Sequence, residues 1–148
     1  MSALVVLDAG TGGAKCVIFD AHGRCLGWHG ERWGYQVAAN PDLPFIKEFA
    51  FDAEAFWTIL SRCVRGALAV SGINPGDVVA VGTTSQREGC VFLDGEGTVL
   101  YAGPNLDSRG FNEGLEVLST LGAEPLYQIT GHSAPFIFPL VRLSLIHI

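Results

Sequence analysis

The chain opens on two short apolar runs separated by a polar, glycine-rich interval. Leu4-Val5-Val6-Leu7 and Cys16-Val17-Ile18-Phe19 are β-branched or large and bounded by turn residues. That pattern predicts buried strands over about 3–8 and 15–20. Asp20-Ala21-His22-Gly23 has the composition of a turn. A third strand is expected over about 24–34, completing an antiparallel meander. Residues 35–50, which include Asn40-Pro41-Asp42 and Pro44, read as a loop.

Asp52 is an N-cap residue type, and after it Phe56, Ile59, Leu60, Cys63, Val64, Ala67 and Leu68 recur at helical spacing. Gly72 and Pro75 close that helix. A fourth strand is expected over 77–82, ending in the polar cluster Thr83-Thr84-Ser85-Gln86-Arg87-Glu88. Cys90-Val91-Phe92-Leu93 and Thr98-Val99-Leu100-Tyr101 flank Asp94-Gly95-Glu96-Gly97, a hairpin signal. A second helix is expected over about 108–121, with Phe111, Leu115, Leu118 and Leu121 on one face and Gly122 as its stop. Pro139-Leu140-Val141-Arg142-Leu143 reads as an apolar helix without a cap.

Composition narrows the class. A chain of 148 residues can bury one modest core. Apolar residues make up 49% and charged residues 16%, and the mean hydropathy of +0.34 is high for a soluble domain standing alone. It fits a piece whose faces something else covers. The net charge of −6 and the lack of a basic run interleaved with aromatics exclude a general nucleic-acid binder. The cysteines at 16, 25, 63 and 90 form no C-x-x-C pair, so neither zinc nor a disulfide framework is expected. No signal-peptide pattern or membrane-length apolar stretch is visible, which makes a membrane partner unexpected and the cytoplasm the default.

The chemistry concentrates in Asp8-Ala9-Gly10-Thr11-Gly12-Gly13-Ala14-Lys15. Glycine permits close approach of backbone N–H groups to an anion. The acid ending the first strand can hold a hydrated metal ion, and the lysine opening the second adds positive charge. A P-loop is excluded, because Lys15 is followed by Cys16 and the glycine spacing is wrong. A dinucleotide fingerprint is excluded, because Lys15 stands where its third glycine belongs and a strand follows, not a helix. An ordinary glycine-rich turn would not need Asp, Thr and Lys at these places. A strand–loop–strand hairpin led by Asp resembles the phosphate loop of actin-like and sugar-kinase ATPases.

A second cluster follows the fourth strand. Arg87 offers planar donors, while Glu88 and Asp107 offer acceptors, a mixture that suits vicinal hydroxyls. By composition alone it is more simply a solvated turn with a surface ion pair. His132 is a weaker candidate on the same presumed side.

The strand order, three antiparallel strands, a helix, then a strand, is that of the opening of an actin-like (ribonuclease H-like) domain. The expected fold is α/β, an incomplete N-terminal actin-like ATPase domain with a mixed sheet and flanking helices, over 1–143. The tail 144–148 matches no expected pattern. Asp8-x-Gly10-Thr11 before a Lys-led strand resembles the first phosphate motif of the FGGY carbohydrate kinases. Thr84-x-Gln86-Arg87-Glu88 resembles the substrate motif of glycerol kinases in that family. Pro104-Asn105-Leu106-Asp107-Ser108-Arg109 resembles the segment placing an acid and an arginine at the sugar in xylulokinase-like members. Thr130-Gly131 and Phe136-Ile137-Phe138-Pro139 are similar to a later stretch of the family. Leu7 to Gly12, Ala39-Asn40-Pro41-Asp42-Leu43-Pro44, Glu48-Phe49, Trp57, Arg87-Glu88-Gly89 and Asn105-Leu106-Asp107 resemble autoinducer-2 kinase-like members. Phe136 stands in place of the tyrosine of the glycerol pocket, which argues against glycerol itself.

The resemblance implies transfer of the γ-phosphoryl group of ATP to a hydroxyl of a small sugar or polyol. It implies that Asp8 holds hydrated Mg²⁺, that Gly10, Thr11, Gly12 and Gly13 contact phosphate oxygens, and that Lys15 adds charge. Gln86, Arg87, Glu88 and Asp107 would fix the substrate. The family's general base is an aspartate far downstream, and its adenosine pocket lies in a second domain. A fragment inactive by itself is therefore expected, needing the remainder of its own chain; homo-oligomerisation stays open. The alternatives are an actin- or Hsp70-like ATPase domain, or a glycerol or xylulose kinase of the same family.

Overall fold

The computed structural model describes residues 2–39, 46–132 and 135–146. The expected loop residues Asn40-Pro41-Asp42 and Pro44, with the matching autoinducer-2 kinase-like stretch, lie outside them, as do the last two residues of the tail. In chain order the strands are β1 (Ala3–Gly10), β2 (Gly13–Asp20), β3 (Cys25–Arg32), β4 (Gln36–Ala39), β5 (Lys47–Ala50), β6 (Val78–Ser85), β7 (Cys90–Leu93) and β8 (Val99–Gly103). The helices are α1 (Ala53–Ser71), α2 (Phe111–Leu121), α3 (Ala123–Thr130) and α4 (Pro139–Arg142). Two compact units emerge: Met1–Gly34 with Asp52–Gln86, and Tyr35–Phe51 with Arg87–Ile148.

The first unit is a mixed four-stranded sheet in the order β3-β2-β1-β6. The meander pairs antiparallel, and β6 returns parallel to β1 after α1. A parallel return needs a long crossover, which α1 supplies. Alternation along the strands sends Ala3, Val5, Ala14, Cys16 and Ile18 to one face, where they pack on Cys63 and Ala67 of α1. Burial, then the neighbouring Cys63, pushes the Cys16 thiol up to about 11, so it behaves as a small core hydrophobe. Asp52 caps α1 as expected, accepting from Ala55 N at 2.9 Å. Gly72 ends the helix in the left-handed region at φ 66°. Gly66 lets α1 settle on β3, since a Cβ there would stand 2.5 Å from His29 Cγ. Gly66→Ala is expected to destabilise the domain by about 1–3 kcal/mol, read as a lower urea midpoint of the complete protein.

The second unit holds two hairpins and the remaining helices. β4 pairs with β5, and β7 pairs with β8. Phe51 N donates to Ala102 O at 3.1 Å, tying the end of the first hairpin to β8. The expected loop over 35–50 thus contains a short hairpin, a correction to the sequence reading. Its strands pair locally, and neither shows the long apolar alternation that marks a core strand. The polar residues Thr83-Thr84-Ser85 also belong to a strand, because β1 pairs with β6 as far as Ala9 and Ser85. α2 begins at Phe111, and the chain restarts as α3 directly after Gly122.

Trp57, Val79 and Val81 remain 67%, 64% and 62% exposed, an apolar surface that fits the high hydropathy of the sequence. None of the described helices is long and apolar enough to cross a membrane.

Candidate active site

The hairpin joining β1 and β2 is tighter than the glycine count suggests. Gly10 pairs with Gly13, so only Thr11 and Gly12 form the turn. Asp8 pairs directly with Lys15. Because Ala14 and Cys16 face α1, the exposed Asp8 and Lys15 side chains share the opposite face of the sheet. Lys15 lies opposite Gly30 on β3, and Asp8 lies opposite Thr84 on β6. The absent side chain at Gly30 opens a hollow of about 340 Å³, whose lining includes Asp8, Gly13, Lys15, Trp28 and Arg32. Gly13 cannot carry a side chain, since a Cβ would meet Glu31 O at 2.9 Å. Trp33 Nε1 donates to Gly10 O at 2.9 Å and steadies the turn. Gln86 N donates to Ala9 O at 2.9 Å, fixing the end of β6 beside the hairpin.

This face offers one carboxylate, two cations and a run of glycine backbone. A magnesium ion keeps several waters and takes one or two carboxylates plus phosphate oxygens. Asp8 alone fits that requirement, and the described residues hold no cluster of three or more His, Cys, Asp or Glu that would cage a metal. Trp28 and Arg32 were not foreseen. Alternation from Gly30 along β3 places both on the Asp8 face, but only once the β2–β3 register is known.

In the second unit, Glu88 is the one non-glycine residue with positive φ among those described, at 62°. Holding a long side chain there costs on the order of 1 kcal/mol or more. Glu88 borders a hollow of about 280 Å³, mostly apolar, whose lining includes Leu126, Thr130, His132 and Phe138. The His132 and Phe138 rings meet edge to face at 4.6 Å. Arg87 is exposed.

Asp107, expected at the substrate, is held inside the second unit. Its residue is fully buried, at 0% exposure. Its Oδ1 accepts from Arg109 Nε at 3.0 Å, and its Oδ2 accepts from Arg109 Nη2 at 3.0 Å. Tyr101 donates its hydroxyl to the same Oδ2. Arg109 also donates to Glu48 Oε1 at 2.7 Å and lies 5.4 Å from the Tyr101 ring centroid. Burial, followed by the Asp107 hydrogen bond, holds the Tyr101 hydroxyl well above its usual pKa, so it stays a donor. Burial opposes the charge on Arg109, but the Asp107 hydrogen bond and charge outweigh it and raise its pKa. Asp107 therefore serves as the buried anchor of Arg109, whose side chain keeps 26% exposure.

The description "FGGY family of carbohydrate kinases, N-terminal domain" matches residues 3–147. The chain is 39% identical over 110 residues to an autoinducer-2 kinase of Escherichia coli O9:H4 (strain HS), covering 74% of this chain and 20% of that protein. An autoinducer-2 kinase of Enterobacter sp. (strain 638) is 35% identical over 117 residues, covering 79% of this chain and 21% of that protein. The chain thus spans about a fifth of the length of the curated relatives it matches. Among solved structures, a xylulose kinase from Brucella ovis superposes with a TM-score of 0.81 at 19% identity, over 97% of this chain and 29% of that one. Plasmodium falciparum glycerol kinase with ADP superposes with a TM-score of 0.74 at 20% identity, over 99% of this chain and 29% of that one. The fold is the expected α/β, actin-like one, with a mixed sheet and flanking helices. The chain belongs to the FGGY family of carbohydrate kinases, matching its N-terminal domain.

Proposed function

We propose that this chain supplies the phosphate-facing hairpin and the acceptor-binding cluster of an ATP-dependent kinase. The kinase transfers the γ-phosphoryl group to a hydroxyl of a small sugar or polyol, with an acceptor of the autoinducer-2 type as the leading candidate. The observation that carries the reading is the pairing of Asp8 with Lys15 on one face, directly below a two-residue turn.

Phosphoryl transfer relies on positioning and electrostatic stabilisation more than on covalent chemistry. The hairpin face would hold a Mg²⁺ ion, which would supply charge neutralisation at the ATP phosphates. Asp8 would hold that ion through water. Gly10, Thr11, Gly12 and Gly13 would contact phosphate oxygens, with Lys15 and Arg32 adding positive charge. Gln86, Arg87 and Glu88 would fix the acceptor's hydroxyls, and Asp107 would hold Arg109 in place toward them. The autoinducer-2 candidate rests on the identity to the two bacterial autoinducer-2 kinases.

Two measurements test this reading. Arg87→Gln with Glu88→Gln in the complete protein is expected to raise the acceptor KM by about 10-fold or more. An assembly or chaperone ATPase would keep its hydrolysis unchanged by the same pair. The 148-residue chain by itself is expected to show no ATP-dependent turnover. Detectable phosphorylation by it would contradict the division of labour proposed here.

A further inference from the structure

We propose that Arg142 is a positioning residue for the acceptor site, locking the two segments that carry Glu88 and Asp107; this rests on the kinase reading above. Arg142 ends α4 and is fully buried, at 0% exposure. A buried guanidinium is costly, and Arg142 Nε has no hydrogen-bond partner among the described residues, which leaves the two Nη groups to hold it. Nη1 donates to Glu88 O at 2.8 Å, and Nη2 donates to Asp107 O at 3.1 Å. One planar fork therefore joins two segments that are far apart in sequence.

Each bond falls where it matters to the candidate site. Glu88 is held in the left-handed region, and its carbonyl is the acceptor for Nη1. Relaxation of that backbone would shift Glu88 at the hollow it borders. Asp107 is gripped at both ends: its carboxylate takes Arg109, and its carbonyl takes Arg142. The direction of Arg109 thus depends on Arg142 through Asp107. α4 itself is seated firmly, because Gly110 leaves no room above Val141: a Cβ there would stand 2.8 Å from Val141 Cγ2. A lysine could not serve two carbonyls in this way, since it lacks the rigid planar fork.

The test uses the complete kinase with Arg142→Lys and Arg142→Ala. Loss of a charge-assisted bond predicts an acceptor KM at least about tenfold higher, with the KM for ATP changed by less than about twofold. Millimolar guanidinium ion is expected to lower the raised acceptor KM of Arg142→Ala. Arg142→Lys keeps the charge and serves if the alanine variant fails to fold. Equal changes in both KM values would overturn the proposal. So would an unchanged acceptor KM with only the yield or melting temperature reduced. A wild-type enzyme that phosphorylates no acceptor would sink the kinase reading, and this inference with it.

Discussion

On the proposed kinase reading, Asp8→Asn in the complete protein is expected to lower kcat by about 10²- to 10³-fold while leaving the thermal unfolding midpoint in place. The substitution keeps shape and hydrogen-bonding size but removes the one carboxylate on the hairpin face. The backbone pairing of residue 8 with Lys15 needs no side chain, so the hairpin should survive. Asp8 is exposed and its pairing is by main chain, hence the small effect on stability. The cost should fall on turnover, because charge that builds on the transferring phosphoryl group would lose its metal anchor. Coupled ADP release with saturating acceptor reads kcat, and a melting curve reads stability. A loss of kcat smaller than about threefold would remove Asp8 from the site, given the size of such electrostatic contributions.

Asp107→Ala should have the largest effect on folding. Removing Asp107 takes the acceptor from the buried Tyr101 hydroxyl and one of two carboxylates from Arg109, at about 1–3 kcal/mol for each group left unsatisfied. Arg109 would keep only Glu48 among the carboxylates it now bonds. Arg109 would also turn, so the fraction that folds should bind acceptor weakly. Denaturation of the complete protein measures the stability change. A change below about 1 kcal/mol would mean that the Asp107–Arg109 pair is worth no more than a surface bridge.

The parts legible from sequence are those with strong local rules. The α1 boundaries follow from Asp52 and Gly72, each acting as the residue type predicts. The β1–β2 hairpin follows from two apolar runs around a glycine-rich interval. Register was not legible, and the site depends on it. That Asp8 faces Lys15, and that Trp28 and Arg32 join them, follows only from which residues pair across β1, β2 and β3. The β4–β5 hairpin escaped because its strands are short and pair with each other, away from the larger sheet. α3 escaped because Gly122, a sound helix stop, is followed at once by a new helix. For Asp107, sequence shows an acid and an arginine two residues apart, but not that they bond each other inside the fold. Arg142 stood out only as one residue of an uncapped apolar helix, since its partners are main-chain carbonyls that carry no sequence signal.

The most direct test follows the label of γ-³²P-ATP in the complete protein, offered polyols, ketoses and the autoinducer-2 precursor dihydroxypentanedione. Acceptor-dependent transfer of label to an alcohol is expected, abolished by Asp8→Asn. Release of labelled inorganic phosphate at the same rate with and without every acceptor would contradict it.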